Sequence, residues 1–440
     1  MLTPSSVKIK TLGRRAVKSP LRLSTVYGDG IVNFVSDRAR VRYRVQLAPE
    51  RADEAEDKVL FEMAGPRRKV YFDPPKTRAA IVTCGGLCPG LNNVIRSSYL
   101  ELHHHYGVKD VLGIRYGYRG LDPASGHPPI RLTSQLVRNI HQRGGTMLGS
   151  SRGPGEAGKM VDYLRKLGVN MLFCIGGDGT QRGAHKLAVE ARRRGAKISV
   201  IGIPKTIDND IMYVWRTFGH HTALEEAREV LDCAHTEAVA ATNGISLVKL
   251  MGRDAGFIAA GATVASQDVN FTLIPEVAFE IDGPGGLLER IKERIIDRHH
   301  ALIVVAEGAG QDMIPPDESQ RDASGNVKYR DIGPFLRTKI LDYFKREGIE
   351  VTLKYFDPSY LIRSVPANTD DSLLCDQLAR HAVHAAMAGK TDMLVGLWYN
   401  CFVHVPIKLA VTGHKQISPE SELWRAVLAA TGQPLRFGPP

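Results

Sequence analysis

From residue 78 onward, short apolar runs rich in β-branched residues punctuate the chain: AAIVTC (79–84), NMLFCIG (170–176), KISVIGIP (197–204), ISLVKLMG (245–252), ALIVVAEG (301–308) and MLVGLW (393–398). Continuous apolarity over so few residues is the mark of a strand buried on both faces. The longer stretches between these runs repeat their apolar residues at helical spacing. Strands alternating with helices predict an α/β protein with a parallel sheet covered on both sides. More strand–helix units are visible than one compact sheet takes. The pattern therefore predicts two doubly wound, mostly parallel-sheet domains with an active-site cleft between them.

The first 77 residues read differently. They hold short polar stretches, the charged run RADEAEDK (51–58) and a Pro-rich exit, FDPPK (72–76). The expectation is an N-terminal arm or small cap ahead of the main body. The Pro- and Asp-rich stretch 309–331 reads as an exposed loop, and no short-period repeat or low-complexity tract is present.

A length of 440 residues agrees with two domains, and 43% hydrophobic with 24% charged residues marks an ordinary soluble globular chain. There is no run of about 18 apolar residues that would cross a membrane. The N-terminus MLTPSSVKIKTLGRRAVKSP lacks the apolar segment of a secretory signal. It is basic and poor in acids, as transit peptides are, yet shows no clear amphipathic pattern. A cytoplasmic protein without a membrane partner is expected. The six cysteines are scattered and Cys84 and Cys88 have no second pair at metal spacing, so reduced, mostly buried thiols are expected. The net charge of +11 implies an anionic partner. Because the basic residues are dispersed and not interleaved with aromatics, phosphorylated small molecules fit that charge as well as nucleic acid does, and no nucleic-acid partner is expected.

Ligands of open parallel sheets gather at the carboxyl ends of the strands, so the segments that follow the strands carry the candidate chemistry. GGLCPGLNNVIR (85–96) offers a tight turn with exposed amides at Gly85 and Gly86 before a helix, a phosphate cradle or a plain βα turn. In GGDGT (176–180), glycines let the backbone approach a bulky anion while Asp178 would repel it. The pair makes sense if a cation lies between them, with magnesium the usual bridge to nucleotide phosphates; an Asp helix cap is the alternative. In KTIDNDI (205–211), Asp208 and Asp210 lie two apart and would point the same way from an extended strand end, with Lys205 balancing their charge. A carboxylate base beside a metal-side carboxylate suits phosphoryl transfer to an alcohol. Arg253 in MGRDAGFIA is placed to fork onto a phosphate, or to pair with Asp254 on the surface. Glu307 ends a strand where it could accept sugar hydroxyls. Lys354, Tyr360 and Arg363 in LKYFDPSYLIR form a basic and aromatic set suited to a sugar phosphate, or an ordinary surface cluster, and Arg152 could bridge two phosphates.

Over residues 78 to 430, the motifs GGLCPGLN, GGTMLGSSR, GGDGT, PKTIDND, KLMGRDAGFIA, AEG and YFDPSYLIR follow one another in the order of the 6-phosphofructokinases. The chain resembles that family, and its long arm and YFDPSYLIR most resemble the ATP-using members of plants and trypanosomatids. The resemblance implies ATP-dependent, magnesium-dependent phosphorylation of the 1-hydroxyl of fructose 6-phosphate in glycolysis, in an allosteric homotetramer or homodimer. It implies that Asp208 is the base and that Asp178 carries magnesium, with Asp210 helping nearby. Gly85, Arg152, Gly153, Gly177, Gly179, Thr180, Gly183 and Lys205 would hold the donor. Thr206, Ile207, Asp208, Asp210, Met251, Gly252, Arg253, Glu307, Lys354, Tyr360 and Arg363 would hold the sugar phosphate. A nucleotide and magnesium domain would span 78–222, completed by about 361–395; a sugar-phosphate domain would span 223–360, completed by about 396–440.

Two positions depart from the family pattern. Where the common bacterial enzyme lends an arginine to the neighbouring subunit, this chain has Gly244. Where pyrophosphate-dependent members carry an acidic residue it has Gly179, yet it shares their lysine at Lys205. An acidic side chain would crowd and repel a nucleotide's α-phosphate, whereas one lysine assists either donor, so ATP is the expected donor. The alternatives are a pyrophosphate-dependent enzyme, a non-catalytic regulatory paralogue, and a nucleic-acid binder. NAD and lipid kinases share GGDGT but lack PKTIDND and MGRD at this spacing.

Overall fold

The computed structural model describes residues 2–45, 54–153, 155–314 and 329–439, without the side chains of 54 and 55. Residues 315–328, most of the stretch expected as an exposed loop, and 51–53 of the charged run lie outside the described residues. The chain divides into two compact units. The first holds Met1–Thr206, Ile211–Gly219 and Ser364–Gly413; the second holds Ile207–Asp210, His220–Arg363 and His414–Pro440.

All six apolar runs are strands. In the first unit a nine-stranded sheet runs in the order Arg40–Arg42, Leu60–Met63, Cys401–Pro406, Met393–Trp398, Ser199–Pro204, Met171–Gly176, Arg78–Thr83, Asp110–Ile114 and Ile130–Arg131. From Met393–Trp398 to Asp110–Ile114 every pairing is parallel, and antiparallel strands flank this centre on both sides. Alternate residues such as Ala80, Val82, Leu172 and Cys174 join Leu164 and Leu187 of the helices Ala157–Lys166 and Asp178–Arg193 in one core. Their neighbours Ile81 and Phe173 are equally buried, which is why these strands read as unbroken apolar runs. Asp178–Arg193 forms because Ala184, Leu187, Ala188 and Ala191 recur at helical spacing, with Asp178 in its first turn and Arg192 and Arg193 in its last complementing the dipole.

The N-terminal residues do more than cap. Leu60–Met63 pairs with Cys401–Pro406 and Lys10–Thr11 with Lys390–Thr391, and the fold internalises Arg67, which reaches the Met63 carbonyl at 2.6 Å and Glu62 at 3.1 Å. The Cys401–Pro406 strand, in a stretch expected to complete the second domain, is hydrogen-bonded to Met393–Trp398 and so runs in the first unit.

The second unit holds an all-parallel four-stranded sheet in the order Phe271–Leu273, His300–Ala306, Gly244–Leu250 and Thr352–Phe356. Leu247, Ile303 and Val305 pack against Ile291 of Leu287–Arg298 and Leu336 and Ile340 of Ile332–Arg346. His220–Val239 and Phe257–Ser266 pack on each other, and His220–Val239 also packs on this sheet. The six cysteines are free thiols, with Cys84, Cys88, Cys174 and Cys375 buried.

Candidate active site

In the first unit, turns from neighbouring strands converge. Met171–Gly176 leads into Gly177, the N-cap of Asp178–Arg193, which offers no side-chain cap; the first amides of a helix have no intrahelical partner, which makes such a start favourable for an anion. The turn is held from beneath by Gln181, whose buried amide donates to the Gly176 carbonyl at 2.9 Å. Lys205, just past Ser199–Pro204, donates its backbone N–H to the same Gly176 carbonyl at 3.1 Å. Its buried ammonium donates to the Gly86 carbonyl at 2.7 Å. Gly85 sits at φ +86°, a conformation that favours glycine. Its N–H donates to the Ser151 carbonyl at 3.0 Å, and the Ser150 hydroxyl donates to its carbonyl at 2.6 Å. The Gly85 turn, the segment leading to Arg152, the Asp178 helix start and Lys205 are thus tied together.

Arg152 and Gly153 line a depression of about 370 Å³ with Tyr118, Arg119, Ser151 and Lys159. Tyr118 is buried and its hydroxyl donates to the Thr180 carbonyl at 2.7 Å. Its ring lies where a Cβ on Gly183 would fall, 2.4 Å away, so Gly183 makes room for the tyrosine. Gly179 differs: a Cβ there meets no heavy atom within 4 Å. Packing does not demand a glycine at 179, and its outer side is open to a ligand. Asp178 is partly exposed and pairs with Arg182, one turn along the helix, at 2.7 Å. A partly exposed carboxylate in the first turn of a helix fits a magnesium ion.

Thr206, whose carbonyl accepts the Thr217 hydroxyl at 2.7 Å, closes this stretch of the first unit. Ile207–Asp210 belongs to the second unit. The premise that Asp208 and Asp210 leave an extended strand end is corrected here. The strand stops at Pro204, and Asn209 between the aspartates takes φ +55°. The segment is a bend, so alternation along a strand does not set where the two carboxylates point. Buried Ile207 gives its carbonyl to His220 Nδ1 at 2.7 Å, and Asp208 is half-buried.

Gly244–Leu250 leads into Met251, Gly252 and Arg253. Gly252 has φ +137° and accepts the Gly308 N–H at 3.1 Å, while Glu307 donates its N–H to Leu250 at 2.9 Å. A Cβ on Gly308 would lie 1.8 Å from the Arg253 carbonyl, so glycine permits this close approach. The Arg253 guanidinium lies over the Tyr329 ring at 4.6 Å. Burial pushes the Glu307 carboxyl above its ordinary value, against the pull of Lys249 and Arg253. Arg363 stacks on exposed Tyr360 at 4.5 Å. Lys354 sits within Thr352–Phe356, and its ammonium pairs with Glu237 of His220–Val239. At Gly244 a Cβ would come within 2.0 Å of the Ala238 carbonyl, so this backbone admits no side chain at that position.

Sequence reasoning missed Tyr118, Gln181 and Arg182. It also missed His414, whose Nδ1–H donates to Asp210 Oδ2 at 3.2 Å. The TQRG continuation of GGDGT carried a signal for Gln181 and Arg182, because residues three and four positions on share the helix face of Asp178. Beside His414, burial pushes the Lys415 ammonium down to about 7, opposed by Asp210, although part of the side chain's surface remains accessible.

A model of the family described as Phosphofructokinase matches residues 78–386. The chain is 48% identical over 434 residues to the ATP-dependent 6-phosphofructokinase of Borreliella burgdorferi, covering 97% of each chain. It is 47% identical over 376 residues to the ATP-dependent 6-phosphofructokinase of Trypanosoma cruzi, covering 85% of this chain and 77% of that one. Among solved structures it is similar to a pyrophosphate-dependent phosphofructokinase from Marinobacter aquaeolei, with a TM-score of 0.67 at 20% identity over 83% of this chain and 93% of that one. At that identity the likeness concerns the fold alone.

Proposed function

The chain belongs to the phosphofructokinase family, and from that premise we propose that it transfers the γ-phosphoryl group of ATP to the 1-hydroxyl of fructose 6-phosphate, giving fructose 1,6-bisphosphate and ADP. The observation that carries this reading is the open side of Gly179 at the head of a helix whose Asp178 fits a magnesium ion. The glycine leaves space for a nucleotide's α-phosphate beside the helix amides. The names of the relatives with 48% and 47% identity agree.

In this reading the donor side is drawn from the first unit and the acceptor side, Thr206 apart, from the second. Gly85, Arg152, Gly153, Gly177, Gly179, Thr180, Gly183 and Lys205 hold the donor, with Lys205 pinned to the Gly86 carbonyl. Thr206, Ile207, Asp210, Met251, Gly252, Arg253, Glu307, Lys354, Tyr360 and Arg363 hold the sugar phosphate. Asp208 accepts the proton as the 1-oxygen attacks the γ-phosphorus in line, and Arg152 stabilises charge moving onto the leaving oxygen. Magnesium, held by Asp178 when bound, supplies charge neutralisation across the donor phosphates. The enzyme works in the cytoplasm as a homo-oligomer.

Lys205, the lysine that pyrophosphate-dependent members also carry, is the ground for the second reading, pyrophosphate as donor, although its charge assists either molecule. Initial rates with fructose 6-phosphate and magnesium, run in parallel with ATP and with pyrophosphate, separate the two. Turnover with ATP alone is expected. Turnover with pyrophosphate in preference to ATP would establish the second reading, and silence with both would overturn the catalytic one.

A further inference from the structure

We propose that the segment 414–417 is a strap that positions the acceptor loops, with His414 its positioning residue. The inference rests on the reading of Asp208 as the base.

The bend Ile207–Asp210 lies outside the strands and helices, so its shape is set by what other segments hold. It is pinned on either side of Asp208. On one side the Ile207 carbonyl meets His220 Nδ1 at 2.7 Å. On the other, Lys415 donates its backbone N–H to the Asp210 carbonyl at 2.7 Å, and His414 Nδ1–H donates to Asp210 Oδ2 at 3.2 Å. Both bonds of the second pin come from the strap.

The same strap holds the turn that presents Arg253. Gln416 donates its side-chain amide to the Asp254 carbonyl at 2.9 Å, and His414 Nε2 lies 3.9 Å from Asp254 Oδ2. Ile417, buried, donates its N–H to Glu276 Oε1 at 2.9 Å. Glu276 in turn accepts the Gly256 N–H at 2.9 Å, at the N-cap of Phe257–Ser266. The Lys415 ammonium lies over the Phe257 ring at 5.2 Å. Successive residues of one segment thus fix both the loop that carries the base and the turn that carries the phosphate-binding arginine. All of them belong to the second unit. The strap sets the distance between proton acceptor and anchored sugar phosphate, a distance to which turnover is steeply sensitive.

The test uses the full chain with His414→Ala, His414→Asn and Gln416→Ala. Amide hydrogen exchange is followed in peptides covering 205–212, alongside kcat and KM for both substrates. For His414→Ala we expect exchange in 205–212 to accelerate and kcat to fall about tenfold, while the KM for ATP stays at its wild-type value. His414→Asn keeps a donor near the position of Nδ1 and should recover most of both losses. Unchanged exchange in 205–212, unchanged kcat, or an asparagine variant no better than alanine would overturn the proposal. If His414→Ala does not fold, Gln416→Ala, which removes one exposed side chain and its hydrogen bond to the Asp254 carbonyl, is judged by exchange in peptides covering 251–257 and by the same fall in kcat, and no change in either would overturn the proposal. A wild-type chain inactive with fructose 6-phosphate and ATP would sink the parent reading alone, since hydrogen exchange still judges whether the strap holds the loop.

Discussion

Replacing Gly179 with aspartate should leave the fold standing and remove the preference for ATP. A side chain at 179 enters open space, since a Cβ meets no heavy atom within 4 Å. The position lies in the first turn of Asp178–Arg193. Exchanging glycine for aspartate there recovers a few tenths of a kcal/mol of helix propensity. A first-turn carboxylate adds about 0.3–1 kcal/mol with the dipole. Repulsion from neighbouring Asp178 works against these gains, and Arg182 tempers it from three residues on. The net change is within about 1 kcal/mol, a shift of a few degrees in Tm at most. A donor phosphate lying over the glycine would meet the new carboxylate. At a separation of ~5 Å and an effective dielectric of ~20, the repulsion is about 3 kcal/mol, or roughly two orders of magnitude in kcat/KM. The assay is kcat/KM for ATP and for pyrophosphate at saturating fructose 6-phosphate, with Tm measured on the same protein. The expected result is a fall of about a hundredfold for ATP at nearly constant Tm. A folded variant that keeps ATP kcat/KM within a factor of about three would refute the reasoning, because at that size of effect the outer side of Gly179 is not where the nucleotide lies.

Three further outcomes follow from particular residues. Asp208→Ser should lower kcat by about 10³-fold or more with little change in either KM, and near-normal turnover would remove the base assignment. Gly183→Ala forces a methyl group onto the Tyr118 ring, 2.4 Å from the would-be Cβ. That overpacking should cost about 1–3 kcal/mol and raise the KM for ATP; a variant with unchanged Tm and KM would show that Tyr118 does not shape the donor depression. Stability should fall below neutral pH, because burial pushes the His404 imidazole down to about 4, although Glu62 pulls it up, and pushes His381 down to about 3. An unfolded histidine titrates near 6.5, so above that pH both states are neutral and the stabilisation is fully present. As pH falls from 6.5 toward 4 the unfolded chain takes up protons that the fold refuses, and each group costs about 1.4 kcal/mol per pH unit. A urea midpoint that stays constant from pH 7 to 4.5 would contradict this.

Which elements could be read from the chain followed from how each is buried. Strands covered on both faces announce themselves because nearly every position is apolar, and the six runs from AAIVTC to MLVGLW are of this kind, with Ser199, Ser246 and Lys249 among the exceptions. Thr352–Phe356 escaped notice since it is the edge strand of the four-stranded sheet, partly exposed throughout and carrying Lys354. The N-terminal residues looked like an arm because their order comes from partners far along the chain. Leu60–Met63 acquires its strand character from Cys401–Pro406. Arg67, a residue that composition assigns to the surface, is buried against Glu62 and two carbonyls. No local periodicity encodes a pairing across more than three hundred residues.

The candidate site divides along the same line. Glycine turns after strands were legible because their requirement is local: Gly85 and Gly252 take positive φ. The DND spacing misled because the rule that alternate residues share a side assumes extended backbone at the residue between them. Asparagine is among the few side chains that readily enter the left-handed region, so Asn209 was itself the sign that the rule would fail. Once the backbone turns there, Asp208 and Asp210 are placed by whatever grips the bend. The grip on Asp210 comes from His414 and Lys415, some two hundred positions away. A carboxylate whose neighbours in sequence do not fix its direction must be aimed by residues remote in sequence. Those residues are therefore the ones whose loss should lower turnover while leaving every motif intact.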